Sequence, residues 1–69
     1  MTKIPFKAAR VAAGLTQQEL AEKIGVSRYT VIDWENGKRE IRTTYLHLFY
    51  AITGFTEDDI ILPKVSPQH

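Results

Sequence analysis

The sequence predicts an all-α fold, a compact five-helix bundle, on three observations. Helix punctuation (Gly, Pro, or a capping Ser or Thr) recurs at short intervals along the 69 residues. Apolar residues between these marks recur at helical spacing. No segment alternates apolar and polar residues over a useful length, so strand content is expected to be close to nil. The length suits one domain, expected over residues 1–63, with a mobile polar tail over 64–69.

The first helix is expected over residues 5–13. Pro5 suits a first helical turn, where its missing N–H has no intrahelical partner anyway. Phe6, Ala9, Val11 and Ala13 supply apolar positions, and Gly14 closes the segment. The second helix opens on Thr16-Gln17-Gln18-Glu19, a capping box in which hydroxyl and carboxylate each satisfy a free backbone N–H. Leu20, Ala21 and Ile24 then share a face, and Gly25 stops the helix. The third, over 27–36, opens on Ser27 as N-cap, draws apolar contacts from Val31, Ile32 and Trp34, and ends at Asn36-Gly37. A basic loop, 38–42, leads to a fourth helix over 44–53, where Tyr45, Leu48, Phe49 and Ile52 form an apolar stripe at i, i+3, i+4 and i+7. The fifth is expected from Thr56, with Glu57, Asp58 and Asp59 in the first turn favoured by the helix dipole, and is ended by Pro63. Val26 and Ile41 are expected to plug the core from turns.

Composition narrows the function. With no cysteine, neither a disulfide nor a thiolate metal site can form, and two histidines alone do not make a structural zinc site. No apolar stretch is long enough to span a bilayer, and residues 1–10 lack the apolar centre of a secretory signal, so a complete cytoplasmic chain is expected. No paired acids in a plausible cleft, no nucleophile–base spacing and no glycine-rich phosphate loop point to catalysis, and no cofactor or small-molecule ligand is expected. Asp58-Asp59 at a helix start reads as capping rather than as a metal site. The net charge is only +1, but it is unevenly spread. Residues 1–42 hold eight Lys/Arg and five Asp/Glu, a balance of +3, while residues 43–69 hold one Lys and three acids, a balance of −2. Such polarity suits a protein that docks an anion with one face.

Residues 17–36 are the most constrained stretch. A turn as short as that between the second and third helices forces a steep crossing. Ala21 must then be small because the third helix passes over it, and Gly25 must take positive φ, which costs other residues about 1 kcal/mol or more. Leu20, Ile24, Val26, Val31 and Trp34 must be apolar to fill the corner. The run GLTQQELAEKIGVSRYTVIDWENGKR, residues 14–39, resembles the phage-repressor/Cro type of helix-turn-helix domain, the lambda-repressor-like family, and a weaker likeness extends over residues 4–62. The resemblance implies a sequence-specific regulator of transcription, most simply a repressor, of phage or bacterial origin, whose third helix lies in the major groove of double-stranded operator DNA. An antitoxin or adaptor with a protein partner is the alternative within the same fold.

The resemblance also assigns roles. Gln17 meets a phosphate at the start of the second helix, and Gln18 either reaches the same backbone or stays solvated. Ser27, Arg28, Tyr29 and Asp33 are the candidate base-reading residues. The donor fork of Arg28 matches guanine O6 and N7, although it also suits a phosphate. Tyr29 stacks on a thymine methyl, donates to a phosphate, or packs on the second helix. Asp33 accepts from a cytosine amino group or holds Arg28 or another cation. Thr30, Asn36, Lys38, Arg39 and Arg42 are the candidate phosphate contacts, and binding should weaken steeply with salt. Arg10 and Glu35 are expected to form a partly buried structural salt bridge. Ile41, Tyr45 and Phe49 depart from the family pattern, so the packing of the fourth helix is expected to differ. A weak homodimer is expected through residues 55–62, with Phe55, Ile60, Ile61 and Leu62 as contacts.

Overall fold

Four α-helices form, each started and stopped by local chemistry. In the computed structural model, which describes residues 2–63, they are α1 (Phe6–Ala12), α2 (Gln17–Ile24), α3 (Arg28–Glu35) and α4 (Thr43–Thr53). The tail expected over 64–69 lies outside the described residues. Pro5 precedes α1 at φ −62° and Gly14, at φ +77°, follows it. The Thr16–Glu19 capping box forms reciprocally: Thr16 Oγ1 accepts from the Glu19 N–H at 3.0 Å, and Glu19 Oε1 accepts from the Thr16 N–H at 2.9 Å. Ser27 caps α3 by accepting from the Thr30 N–H at 3.2 Å.

The expected fifth helix is instead a single 3-10 turn, Glu57–Asp59. Thr56 and Asp59 still form its capping box. Beyond it Ile60 turns extended, at φ −117° and ψ 133°. β2 (Ile60–Ile61) pairs in parallel with β1 (Ile4–Pro5), Ile4 opposite Ile60 and Pro5 opposite Ile61. Three local effects oppose the helix. Ile60 and Ile61 are β-branched, Pro63 disfavours helical backbone at Leu62, and the pairing carries Ile60 into the core. Strand content among the described residues is this one two-residue pair, in keeping with the expectation of nearly none.

The core comprises Phe6, Ala9, Leu20, Ala21, Ile24, Val31, Trp34, Phe49 and Ile60. Its centre is aromatic. Phe6 stacks on Phe49 with centroids 4.1 Å apart and meets Trp34 edge-on at 6.3 Å. Trp34 in turn meets Tyr45 at 5.5 Å. The larger residues at positions 45 and 49 thus fill the interior. Val26 and Ile41 pack against the core, as expected of them.

Three expectations are corrected. Leu48 is 40 % exposed, so the buried stripe of α4 runs through Tyr45, Phe49 and Ile52 without it. Val11, read as one of the apolar positions of α1, is exposed, whereas the burial expected of its neighbour Arg10 is found. Of the expected dimer contacts, Ile60 is core and Phe55 is half-buried against it, which leaves only Ile61 and Leu62 exposed.

Candidate nucleic-acid interface

The corner between α2 and α3 rests on one backbone geometry. Gly25 adopts φ +92°, and the Val26 N–H donates to the Ala21 carbonyl at 3.0 Å, closing α2 within the turn. A Cβ at Gly25 would meet no atom within 4 Å, so the requirement is conformational and not steric. Ala21 and Leu20 are fully buried, as is Val31 on the facing helix. Val31 and Trp34 fix the inner face of α3.

The opposite face of α3 follows from helical spacing. Arg28, Tyr29, Ile32, Asp33 and Asn36 lie at i, i+1, i+4, i+5 and i+8 and share one side. Arg28, Tyr29 and Asn36 are exposed, and Ile32 and Asp33 are half-buried. Tyr29, at 69 %, is the most exposed of the large apolar side chains among the described residues. The Arg28 guanidinium sits over its ring, 5.5 Å from the centroid. Ile32, expected to supply an apolar contact with Val31 and Trp34, is half-buried outside the core cluster, and its spacing from Arg28 and Tyr29 puts it on this stripe.

Asp33 neighbours Arg39, not Arg28: Oδ2 lies 3.8 Å from Arg39 Nη2. The pair is largely solvated and contributes little stability. Ser27 and Thr30 engage each other, their hydroxyl oxygens 3.0 Å apart. Gln18 is exposed and donates to Glu22 Oε2 at 3.2 Å along the helix surface.

The loop after α3 is shaped by the way the helix ends. Gly37 takes φ +72°, its N–H donates to the Trp34 carbonyl at 3.3 Å, and the Lys38 N–H donates to the Asp33 carbonyl at 2.8 Å. This Schellman pattern sends Lys38 and Arg39 away from the core, and both are exposed. A groove of about 550 Å³ lies between α3 and the segment entering α4, and brings Thr30, Arg39, Arg42 and Tyr45 together. Arg42 is the N-cap of α4 without a side-chain cap bond, so the first N–H groups of that helix remain available.

Beneath this surface lies the expected ion pair. Arg10 Nε donates to Glu35 Oε2 at 2.6 Å, and the side chains are 9 % and 3 % exposed. Arg10 Nη1 donates to the Leu15 carbonyl at 2.7 Å, tying the α1–α2 turn to the pair. Gln17 joins it too, donating from Nε2 to Glu35 Oε1 at 3.0 Å.

Among the described residues no group of three His, Cys, Asp or Glu is placed to hold a metal ion, and no helix is long and apolar enough to cross a membrane. Two helices meeting at a short glycine turn, with the second presenting an exposed polar stripe, define a helix-turn-helix domain. The helix-turn-helix family model matches residues 6–58, and the chain belongs to that family in its Cro/C1-type, lambda-repressor-like branch. It is therefore a DNA-binding helix-turn-helix regulator. No curated protein matches the chain.

Proposed function

We propose that this protein is a repressor of transcription that inserts α3 into the major groove of a double-stranded operator, and that residues 1–63 act as one DNA-binding domain. The observation that carries the reading is the division of α3 into two faces. Val31 and Trp34 are buried, while Arg28 and Tyr29 project freely from the first turn. A major groove about 12 Å wide admits such a helix, first turn towards the base edges.

Within this reading Arg28 pairs with guanine O6 and N7, and Tyr29 and Ile32 lie against thymine methyls. Asp33 accepts from a cytosine amino group or orders Arg39, and Ser27 sits at the rim of the base contacts. Gln17 and Gln18 at the start of α2, with Thr30, Asn36, Lys38, Arg39 and Arg42 around the α3–α4 groove, hold the phosphates. Repression needs no contact beyond occupancy of the site. A bacterial or phage setting, inside the cytoplasm, is part of the same proposal, with the family as its support.

Selection from random duplexes at one fixed salt concentration, with wild type and Arg28→Ala side by side, tests the reading. Wild type should enrich a two-fold symmetric site with half-sites about one helical turn apart. Arg28→Ala should lose preference at one position in each half-site, a discrimination of roughly 1–3 kcal/mol. Enrichment of nothing by either protein would instead favour the antitoxin or adaptor reading and a protein partner.

A further inference from the structure

Gln17 lies at the first turn of α2 and Glu35 at the last residue of α3, 18 positions apart in the chain, yet their side chains are hydrogen-bonded at 3.0 Å. We infer that Glu35 is a positioning residue for DNA binding: its carboxylate fixes the Gln17 amide so that one N–H is committed inward and the other is left to donate to a backbone phosphate. The inference rests on the reading of the α2 start as a phosphate contact.

The chemistry leaves one arrangement. Both Glu35 oxygens face Arg10 as acceptors in a salt bridge, and a salt-bridged carboxylate has no proton to donate. Gln17 must therefore present its nitrogen to Glu35, whichever way an unconstrained amide would turn. Glu35 Oε2 is taken by Arg10 Nε at 2.6 Å, while Oε1 receives Gln17 Nε2 at 3.0 Å and Arg10 Nη2 at 3.5 Å. The carboxylate is almost wholly buried, at 3 % exposure, whereas Gln17 is half-exposed. One Nε2 proton thus points into the protein. The second is the side chain's remaining donor, beside the unpaired N–H groups that begin α2. A donor already held in place loses less rotamer freedom when phosphate arrives. The same carboxylate joins α1, through Arg10, to α3, so the phosphate donor is registered against the helix that reads the bases.

A double-mutant cycle tests this on the full chain. The operator selected for wild type is titrated with wild type, Gln17→Ala, Glu35→Gln and the double variant, each checked for folding by circular dichroism. In Glu35→Gln only one carbonyl oxygen remains, and the shorter Arg10 contact claims it. Gln17→Ala should bind about tenfold more weakly, the value of a hydrogen bond to a charged group. Glu35→Gln should weaken binding several-fold in the Gln17 protein and add nothing in the Gln17→Ala background. An equal loss in both backgrounds overturns the inference and leaves the phosphate contact standing. No loss from Gln17→Ala overturns both.

If Glu35→Gln does not fold, the wild-type side-chain amide protons of Gln17 are read by NMR. One should exchange slowly with water and keep its shift on adding operator, while the other moves. Equal exchange and a common shift of both protons would refute the fixed amide.

Discussion

Arg10 and Glu35 show how a single buried pair organises a small domain. Burial of either charge alone is costly, and each is satisfied: Arg10 donates to Glu35 and to the Leu15 carbonyl, and no buried side-chain polar atom among the described residues lacks a partner. That pairing was legible from the family resemblance. The Gln17 bond to the same carboxylate was not, because nothing in the local spacing relates the start of one helix to the end of the next. Gly25 belongs to this scale too. Its φ of +92° is one that L side chains rarely adopt, while the space around it is open. Gly25→Ala should therefore cost about 1–2 kcal/mol in urea unfolding, the left-handed backbone penalty alone. A much larger loss would mean that the close approach of α3, and not the dihedral angle, is what demands glycine.

At the scale of elements, helix starts were more legible than helix faces. Thr16 and Ser27 announce α2 and α3 because capping is a local hydrogen-bond pattern that sequence alone contains. The Thr16 N–H, and secondly its hydroxyl, hold the Glu19 carboxyl below the usual carboxylate range. A depressed carboxylate contributes stability above its unfolded pKa, about 4.3, and that contribution is lost as pH falls through the folded value. Thermal unfolding of wild type should therefore show a loss of stability on acidification below about pH 5 that is smaller in Glu19→Gln. Equal pH profiles would show that the box contributes nothing through charge. The face of α4 was less legible. Residues 43–53 carry no Asp, Glu, Lys or Arg, so apolar periodicity had little polar background to stand against, and Leu48 was assigned inward. Phe49, stacked on Phe6 and fully buried, should cost about 3–5 kcal/mol when truncated to Ala. Leu48→Ala should stay within about 0.5 kcal/mol, as surface substitutions do. Chemical denaturation of the two variants decides the assignment, and a reversed order would refute it. The fifth helix failed for a different reason. Its acidic first turn is present, but the pairing of Ile60 with Ile4, 56 residues earlier in the numbering, is a tertiary effect that no window around Thr56 contains.

For the molecule as a whole, charge is unevenly spread along the chain. The basic surplus lies in residues 1–42, which include α3 and the Lys38–Arg39–Arg42 loop, whereas the exposed Ile61 and Leu62 lie in the acidic remainder. A regulator using a symmetric operator needs two recognition helices on one DNA face, about 34 Å apart. Ile61, 52 % exposed in a two-residue strand, and Leu62 beside it are what remains of the expected dimer contact once Ile60 is seen to be core. Leu62 lines a groove along α4 with Ile60 that Ile61 does not, so the two side chains offer separate small apolar contacts, too small for a tight dimer and suited to one completed on DNA, where both copies are already held close. Ile61→Asp should leave the fold intact, since the side chain is outside the core, and should leave binding to an isolated half-site unchanged. On the full operator it should reduce cooperativity between the two copies, because a carboxylate from each would meet across the two-fold axis. Gel-shift titrations on half-site and full-site duplexes separate these effects. Unchanged cooperativity would place the contact between copies elsewhere, with the exposed Leu48 face of α4 the next to be changed.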